Sequence, residues 1–277
     1  MLKKTIGNGV KGAFTLAEVL ITLGIIGVVA AMTMPTLINS TQGAQYKTAY
    51  KKALSVMSQA VVMNIALEDY DLSQVVAGTN TTAADASGDD DDDDDGSTVG
   101  GAQSLYDLFK NRMNVVKVAS TNDFQGDTQG ETDFYKIINV DAADKSDYTA
   151  FATLHGGKGG NTFPVLASGG KWPADLTMLF FNDGITFIFD NTQANCAAAT
   201  STTDDHYCYG FIDVNGQKAP NRVVACDGAS ASKTIDGSGT DNANCVVTNP
   251  TDIYPIAMYD QSIVPASAAA RAVLYAK

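Results

Sequence analysis

A long uncharged apolar stretch lies near the start of the chain. The 20 residues from Val19 to Ile38 carry no charged side chain, and a helix of about 20 apolar residues can cross the roughly 30 Å of hydrocarbon in a bilayer. Lys3, Lys4 and Lys11 precede it, which predicts that the stretch starts in the cytoplasm and that the rest of the chain lies outside. An ordinary secretory signal, cut near Ala31, is the alternative, although the stretch is long for a signal.

After Pro35 the apolar residues recur at spacings of three and four, which is typical of an amphipathic helix. The members of this pattern are Tyr46, Tyr50, Ala53, Met57, Ala60, Val61 and Ile65. Joined to the apolar stretch, the pattern predicts one helix from Phe14 to about Tyr70. Its second half is expected to pack on its own domain.

Short apolar runs between turn residues predict strands in the last hundred residues. These runs are Leu176–Phe181, Gly184–Phe189, Tyr207–Val214 and Ile253–Tyr259. Asp183-Gly184 favours a hairpin between the first two. Short helices are expected near Leu105–Met113 and over Ser267–Tyr275. A long helix followed by an antiparallel sheet belongs to the α+β class.

The charge balance excludes some partners. The chain has 18 basic and 31 acidic residues, a net charge of −13, which argues against a nucleic-acid-binding surface because phosphate recognition needs clustered Lys and Arg. Seven consecutive aspartates, Asp89–Asp95, lie within a Gly-, Ser- and Thr-rich segment over 78–104. A like-charge run of this kind predicts a disordered, solvated loop. Its end copies the start of an EF-hand, but Ala102 stands where the bidentate acid is needed, so calcium could bind only loosely.

The four cysteines lie in the last third of the chain, and no two have the close CxxC spacing of a zinc site. They favour two disulfides and an oxidising compartment. Of the three possible pairings, the neighbour pairing is preferred because each pair brackets a short polar loop: Cys196 with Cys208, and Cys226 with Cys245.

Glu18 stands at the edge of the apolar stretch, where a carboxylate costs a few kcal/mol unless it has a partner. A cut between Ala13 and Phe14 would supply one, because it creates a free α-amino group four residues before Glu18. Such a cut would remove the basic leader and keep the whole apolar stretch, the reverse of ordinary signal processing.

Residues 11–21, Lys-Gly-Ala-Phe-Thr-Leu-Ala-Glu-Val-Leu-Ile, resemble the cleavage and methylation signal of type IV prepilins and type II secretion pseudopilins. The resemblance implies that a prepilin peptidase cuts between Ala13 and Phe14 on the cytoplasmic side and methylates the amino group of Phe14. It also implies that Glu18 neutralises the α-amino group of a neighbouring subunit as a filament grows.

Gly27 and Pro35 fall where this family often has a glycine and a proline, in a stretch that tends to lose helical order in type IV pilus filaments. Both residue types weaken a helix, so we expect these positions to give flexibility. The family usually has glycine directly before the cut, whereas here Ala13 holds that place and Gly12 precedes it. A cut after Gly12 would leave Glu18 five places from the new N-terminus, so the cut after Ala13 is preferred.

A second, weaker resemblance to some bacterial pilin-like proteins lies in the sheet region. It consists of Asn-Asp-Gly at 182–184, Gly-Phe-Ile-Asp-Val-Asn-Gly at 210–216 and Pro-Asn at 220–221. Some pseudopilins hold calcium in a C-terminal loop, which makes Asp213 and Asn215 conceivable ligands. The Asp-x-Asn-Gly pattern is first of all a turn, so no metal site is assigned.

The resemblance implies a pilin-like α+β architecture with four parts. They are a cleaved leader over 1–13, a membrane-spanning or filament-core helix over 14–38, its amphipathic half over 39–70, and a globular head over 71–277. The head contains the acidic loop over 78–104 and a β-sheet region with two disulfides over 176–277.

The function expected from the resemblance is that of a structural subunit of a type IV pilus-like filament. Its partners would be copies of itself, other pilins, the prepilin peptidase and the inner-membrane assembly platform. The precursor would lie in the bacterial inner membrane and the product in a periplasmic or extracellular filament. Two alternatives stay open: a pseudopilin of a type II secretion or DNA-uptake system, and a membrane-anchored or secreted calcium- or glycan-binding domain.

Little in the sequence points to an enzyme. The chain has two histidines, His155 and His206, both expected at exposed loop positions, and it has no HExxH or GxSxG motif. Gly156-Gly157-Lys158-Gly159 lacks the spacing of a phosphate-binding loop. No cofactor is expected.

Overall fold

The computed structural model describes residues 15–79, 101–120, 176–198, 206–216, 218, 220–227 and 245–275. The chain divides into two units, Met1–Gln42 and Gly43–Lys277. The expected leader, the cut between Ala13 and Phe14, and the Asp89–Asp95 run lie outside the described residues.

The first element is a single 53-residue helix, α1, over Leu16–Glu68. Its bounds lie within two residues of the predicted ones. The helix continues through Gly27 and Pro35 without a break. It ends at Asp69, whose φ of 60° is left-handed and whose N–H still donates to the carbonyl of Ile65 at 3.1 Å. A left-handed residue directly after the last turn is a common way for a helix to stop.

The second unit contains an antiparallel sheet, two further helices and a 3-10 turn over Leu72–Gln74. The helices are α2 over Leu105–Arg112 and α3 over Ala268–Tyr275. The strands are β1 Val115–Ser120, β2 Thr177–Phe181, β3 Thr186–Phe189, β4 Cys208–Asp213, β5 Ile253–Tyr259 and β6 Ser262–Pro265. Within the described chain they form one six-stranded sheet in sequential order, β1 to β6, with every neighbouring pair antiparallel. The α+β class is therefore confirmed.

The sequence missed the two edge strands. In β1 the pairing register shifts between Val115 and Lys117, and Val116 is exposed, so the strand lacks the strict alternation by which strands are recognised. Strand β6 has only four residues and ends on Pro265, a residue that argues against a strand except at an edge.

The sheet is buried on both faces, with β4 buried along its whole length. On one face the second half of α1 packs with α2 and α3 over a core that includes Tyr50, Met57, Val61, Leu105, Phe109, Phe187, Ile212, Tyr254 and Val273. A smaller cluster on the other face includes Met178, Ile188, Tyr209, Phe211 and Ile253. The amphipathic pattern therefore marks the face of α1 that meets the sheet.

Two aromatic contacts fix how the helices meet the sheet. The rings of Tyr50 on α1 and Tyr254 on β5 stack with their centroids 4.0 Å apart and their planes 8° apart. Phe109 on α2 meets the edge of Phe187 on β3 at 5.1 Å. Such pairs contribute about 0.5–1.5 kcal/mol beyond the area that they bury.

Both predicted disulfides are present, and they join neighbours: Cys196 with Cys208, and Cys226 with Cys245. The first pair is fully buried. The N–H of Cys196 donates to the carbonyl of Leu72 at 3.0 Å, and its own carbonyl accepts from Asp260 at 2.7 Å. This disulfide therefore connects β4 to the turn that follows α1 and to the β5–β6 turn.

Gly210 in β4 is required by the packing of β3. A Cβ at this position would lie 2.6 Å from Cε2 of Phe187 and 2.9 Å from the carbonyl oxygen of Ile188. Neither the ring, held in the core, nor the strand backbone can move away cheaply.

We expect Gly210→Ala to lower the free energy of unfolding by about 1–3 kcal/mol, the usual cost of overpacking a core. The measurement is chemical unfolding of the full chain in detergent, followed by circular dichroism. Val116→Ala is the control, since an exposed strand position should change stability by less than about 0.5 kcal/mol. Equal stability of Gly210→Ala and the parent chain would contradict this account of β4.

We expect the Cys196→Ala/Cys208→Ala double variant to lose about 3 kcal/mol of stability, because the bond closes a short loop in the unfolded chain. The Cys226→Ala/Cys245→Ala double variant, which removes a bond that closes a loop of similar length, serves as the matched comparison. It should lose less, because Cys245 is partly exposed whereas Cys196 and Cys208 are fully buried. The reverse order of the two unfolding midpoints would contradict the structural role given to the first pair.

Candidate functional site at the start of helix α1

The first half of α1 is the one stretch among the described residues that is long and apolar enough to cross a membrane. It covers Leu16–Met34, 19 residues with a mean hydropathy of 2.2, and none of it is buried. Its large side chains are exposed, with Leu16 at 79% and Met32 at 72%. A segment of this kind near an N-terminus is a membrane anchor or a signal sequence. The disulfides fit an oxidising compartment.

Glu18 is held in a reciprocal capping arrangement with Thr15. The backbone N–H and the hydroxyl of Thr15 both donate to Oε2 of Glu18, at 2.8 and 2.9 Å. In return the N–H of Glu18 donates to Oγ1 of Thr15 at 3.2 Å. This is a capping box, which satisfies two of the backbone donors that every helix leaves unpaired at its start.

Sequence reasoning missed this role of Glu18, although Thr15-x-x-Glu18 is the usual signature of a capping box. A negative charge in the first turn is also favoured by the helix dipole. The groups of the described chain that donate hydrogen bonds to the Glu18 carboxylate are neutral. The two ion pairs found among the described residues, Lys52–Asp183 and Arg112–Glu68, do not involve Glu18. The carboxylate is thus oriented toward the start of the helix while its charge is not neutralised by a described cation.

Gly27 has no neighbour that requires a glycine. A Cβ at this position would meet no atom within 4 Å in the described chain, and the same is true at Gly24. Glycine costs a helix about 1 kcal/mol relative to alanine. The helix shows no break at Gly27 or Pro35. The expected flexibility at these two positions therefore stays a prediction.

The loop after β4 has the geometry of a turn. The buried Asp213 accepts from the N–H of Asn215 at 2.9 Å. The equally buried Asp252 accepts from the N–H groups of Asn221 and Arg222, both at 2.8 Å. Burial raises the pKa of Asp252, and these hydrogen bonds oppose that rise. Both carboxylates organise the loop backbone, and the described residues contain no group of three His, Cys, Asp or Glu side chains that could hold a metal ion.

The expectation that both histidines are exposed was wrong for His206. It is half-buried and pairs with Ala197 through two backbone hydrogen bonds of 3.1 Å. The pairing sits next to the Cys196–Cys208 disulfide, which brings the two segments together. His155 lies outside the described residues.

A pocket of about 260 Å³ lies between the second half of α1 and the turn between β2 and β3. Its apolar lining comes from Val56, Met57, Met113, Phe181 and Ile185. Two ion pairs stand beside it: Lys52 Nζ to Asp183 Oδ2 at 2.8 Å, and Arg112 Nη2 to Glu68 Oε1 at 2.6 Å. Sequence reasoning did not predict this pocket, because it joins segments more than a hundred residues apart.

Comparisons of the chain with family models, curated proteins and solved structures give no match.

Proposed function

We propose that this chain is a structural subunit of a type IV pilus-like filament, matured by cleavage between Ala13 and Phe14 and by methylation of Phe14. The observation that carries the proposal is the sequence of residues 11–21, with Glu18 placed at the start of an uncharged apolar helix. An ordinary signal peptide has no use for a carboxylate at that place.

The geometry at the start of α1 supports this proposal. Glu18 bonds back to Thr15, the residue directly after Phe14. A free α-amino group at Phe14 would therefore lie one residue before Thr15, whose N–H and hydroxyl already donate to the Glu18 carboxylate. A cut after Gly12 would move the amino group one residue further away, so the geometry favours the cut after Ala13.

The two halves of α1 support a subunit that is anchored first and assembled later. The exposed apolar half can stay in the inner membrane as a precursor and then be buried among copies of the same helix and other pilins. The amphipathic half packs on a disulfide-bonded head, which suits the far side of the membrane. In this proposal the prepilin peptidase and the inner-membrane assembly platform act on the chain, and the chain itself catalyses no reaction.

A pseudopilin of a type II secretion or DNA-uptake system would share all of these features. The two differ in the length of the filament, which electron microscopy of cells producing the chain would distinguish: surface fibres for a pilus, short periplasmic assemblies for a pseudopilus.

The N-terminal peptide of the mature chain is the first test. We expect mass spectrometry to find a peptide that begins at Phe14 and carries one added methyl group. A peptide beginning near Met32 would identify an ordinary secreted protein and would remove the basis of the proposal.

Two substitutions at Glu18 separate its roles. Glu18→Gln keeps a side chain that can take part in a capping box but removes the charge, whereas Glu18→Ala removes both. We expect both variants to accumulate as stable membrane proteins and both to abolish filaments, because assembly needs the charge. Thr15→Val, which loses the hydroxyl partner and keeps the charge, is the control and should reduce filament yield less. Normal filaments from Glu18→Gln would show that Glu18 acts only as a cap.

A further inference from the structure

The pocket beside the β2–β3 turn is lined by side chains that suit an aromatic ring. Met57, Met113 and Phe181 are among its lining residues. Methionine sulfur makes favourable contacts with aromatic rings, and aromatic rings pack favourably against one another. A cavity of about 150 Å³ is enough to hold benzene, so a pocket of about 260 Å³ can take one ring with a substituent.

The charged groups at this pocket are balanced within the chain itself. Lys52 pairs with Asp183, and Arg112 pairs with Glu68. A charged occupant of either sign would therefore meet a like charge beside the opposite one, which is unfavourable. The pocket favours a neutral group.

Arg112 adds one polar requirement. Its side chain is only 11% exposed, and it is held from two sides. Nε donates to Oδ1 of the buried Asn64 at 3.2 Å, and Nη2 donates to Oε1 of Glu68 at 2.6 Å. A guanidinium has five N–H donors, and these bonds use two of them in the described chain. Because Arg112 also lines the pocket, a neutral oxygen there can accept from a further N–H without displacing Glu68.

One exposed side chain has the chemistry that the pocket fits, an aromatic ring with a neutral hydroxyl. Tyr275, at the end of α3, is 72% exposed, and it is the only large exposed aromatic side chain among the described residues. Tyrosine and arginine are also two of the residue types that carry most of the binding energy at protein interfaces.

Tyr275 and the pocket lie toward opposite edges of the sheet. Helix α3 follows the edge strand β6 and packs against it, whereas the pocket includes Phe181 of β2 and the two residues that precede β1, Met113 and Asn114. In the sheet order, β2 and β6 are four strand spacings apart, or about 19 Å at about 4.8 Å each. One copy therefore presents the ring on one side and the pocket on the other.

We propose that Tyr275 of one copy of this chain occupies the pocket of the next copy. The proposal rests on the proposed function for one point, that copies assemble side by side with parallel helices. Each copy then uses its pocket toward one neighbour and its Tyr275 toward the other. A heterologous contact of this kind, when it does not close into a ring, produces an open filament.

The positions of the two groups along α1 are compatible with parallel copies. Burial raises the pKa of Tyr50, and interactions with Tyr254 and Tyr275 raise it further, which places Tyr275 near Tyr50. The α1 residues that line the pocket lie between Lys52 and Met57, two to seven residues further along the helix. At about 1.5 Å per residue, the next copy needs a displacement of only about 3–10 Å along the helix.

Substitutions at Tyr275 test the contact without endangering the fold, because the side chain is exposed. We expect Tyr275→Ala in the full chain to lower the filament yield by about tenfold, since it removes the ring. Tyr275→Phe keeps the ring and loses only the oxygen, so it should lower the yield less. Val76→Ala is the matched control, since Val76 is an exposed apolar residue remote from both groups in the sequence, and it should leave the yield unchanged. Parental yield from Tyr275→Ala would overturn the proposal.

A larger side chain in the pocket tests the other half of the contact. Val56 lines the pocket and is 38% exposed, so Val56→Phe can fill the pocket from α1. We expect it to lower the filament yield as Tyr275→Ala does, and the two changes together should be no worse than either alone. Fully additive losses would contradict a shared contact.

Photocrosslinking identifies the partner directly. Azidophenylalanine placed at position 275 keeps an aromatic ring and reacts with what surrounds it on illumination. We expect a ladder of dimers, trimers and longer species, with the new bond in the peptides that contain Met57, Met113 or Phe181. Azidophenylalanine at position 76 is the control and should give no ladder. Crosslinks from position 275 only to other peptides, or to proteins other than this chain, would overturn the proposal.

The N-terminal peptide is measured in the same samples. Methylated Phe14 and filaments without the expected crosslink would overturn the contact and leave the proposed function standing. The expected crosslink with an unprocessed N-terminus would do the reverse, and the absence of both would remove both.

Discussion

The packing of the second unit depends on the contact between Tyr50 of α1 and Tyr254 of β5. Both side chains are fully buried, and their rings lie parallel at 4.0 Å. Their hydroxyls have no hydrogen-bond partner among the described residues, and burial raises the pKa of each phenol well above its usual range. The pair therefore remains neutral, and its contribution comes from buried aromatic area rather than from hydrogen bonds. A shift of β5 by one residue would turn Tyr254 to the other face of the sheet and separate the rings.

The Tyr50–Tyr254 contact involves only the second half of α1. It therefore does not determine the environment of the first half. A helix satisfies its backbone hydrogen bonds internally, which is why the same element can continue from a packed domain into hydrocarbon or into a bundle of helices. Side chains alone distinguish the two halves. Between Val19 and Met34 the large side chains are apolar and exposed, whereas beyond Gly43 one side is buried and the other carries lysines and a few exposed apolar side chains such as Met63 and Leu67.

The parts of the fold that followed from the sequence are those with a strong local pattern. Strand β5 was predicted to the residue, and α1, β2 and β4 to within two residues, since each is a long apolar or periodic run. The edge strands β1 and β6 have no such pattern, because an edge strand is half-solvated and is made a strand by the neighbour it pairs with.

The pocket and the position of His206 depend on contacts between distant segments, which no local pattern records. The disulfide pairing was predictable because short polar loops leave neighbouring cysteines close together.

Two explanations account for the presence of Glu18 at this position in the sequence. Its motif with Thr15 is a cap, and the structure contains that cap. Its position at the edge of an apolar helix makes a charge there costly, and neutral donors reduce that cost without cancelling the charge. The two explanations are complementary, because the hydrogen bonds from Thr15 draw the carboxylate back toward the beginning of the helix. In the proposed maturation, a cut between Ala13 and Phe14 would create a positive charge next to Thr15, and the cap would orient the carboxylate toward that charge.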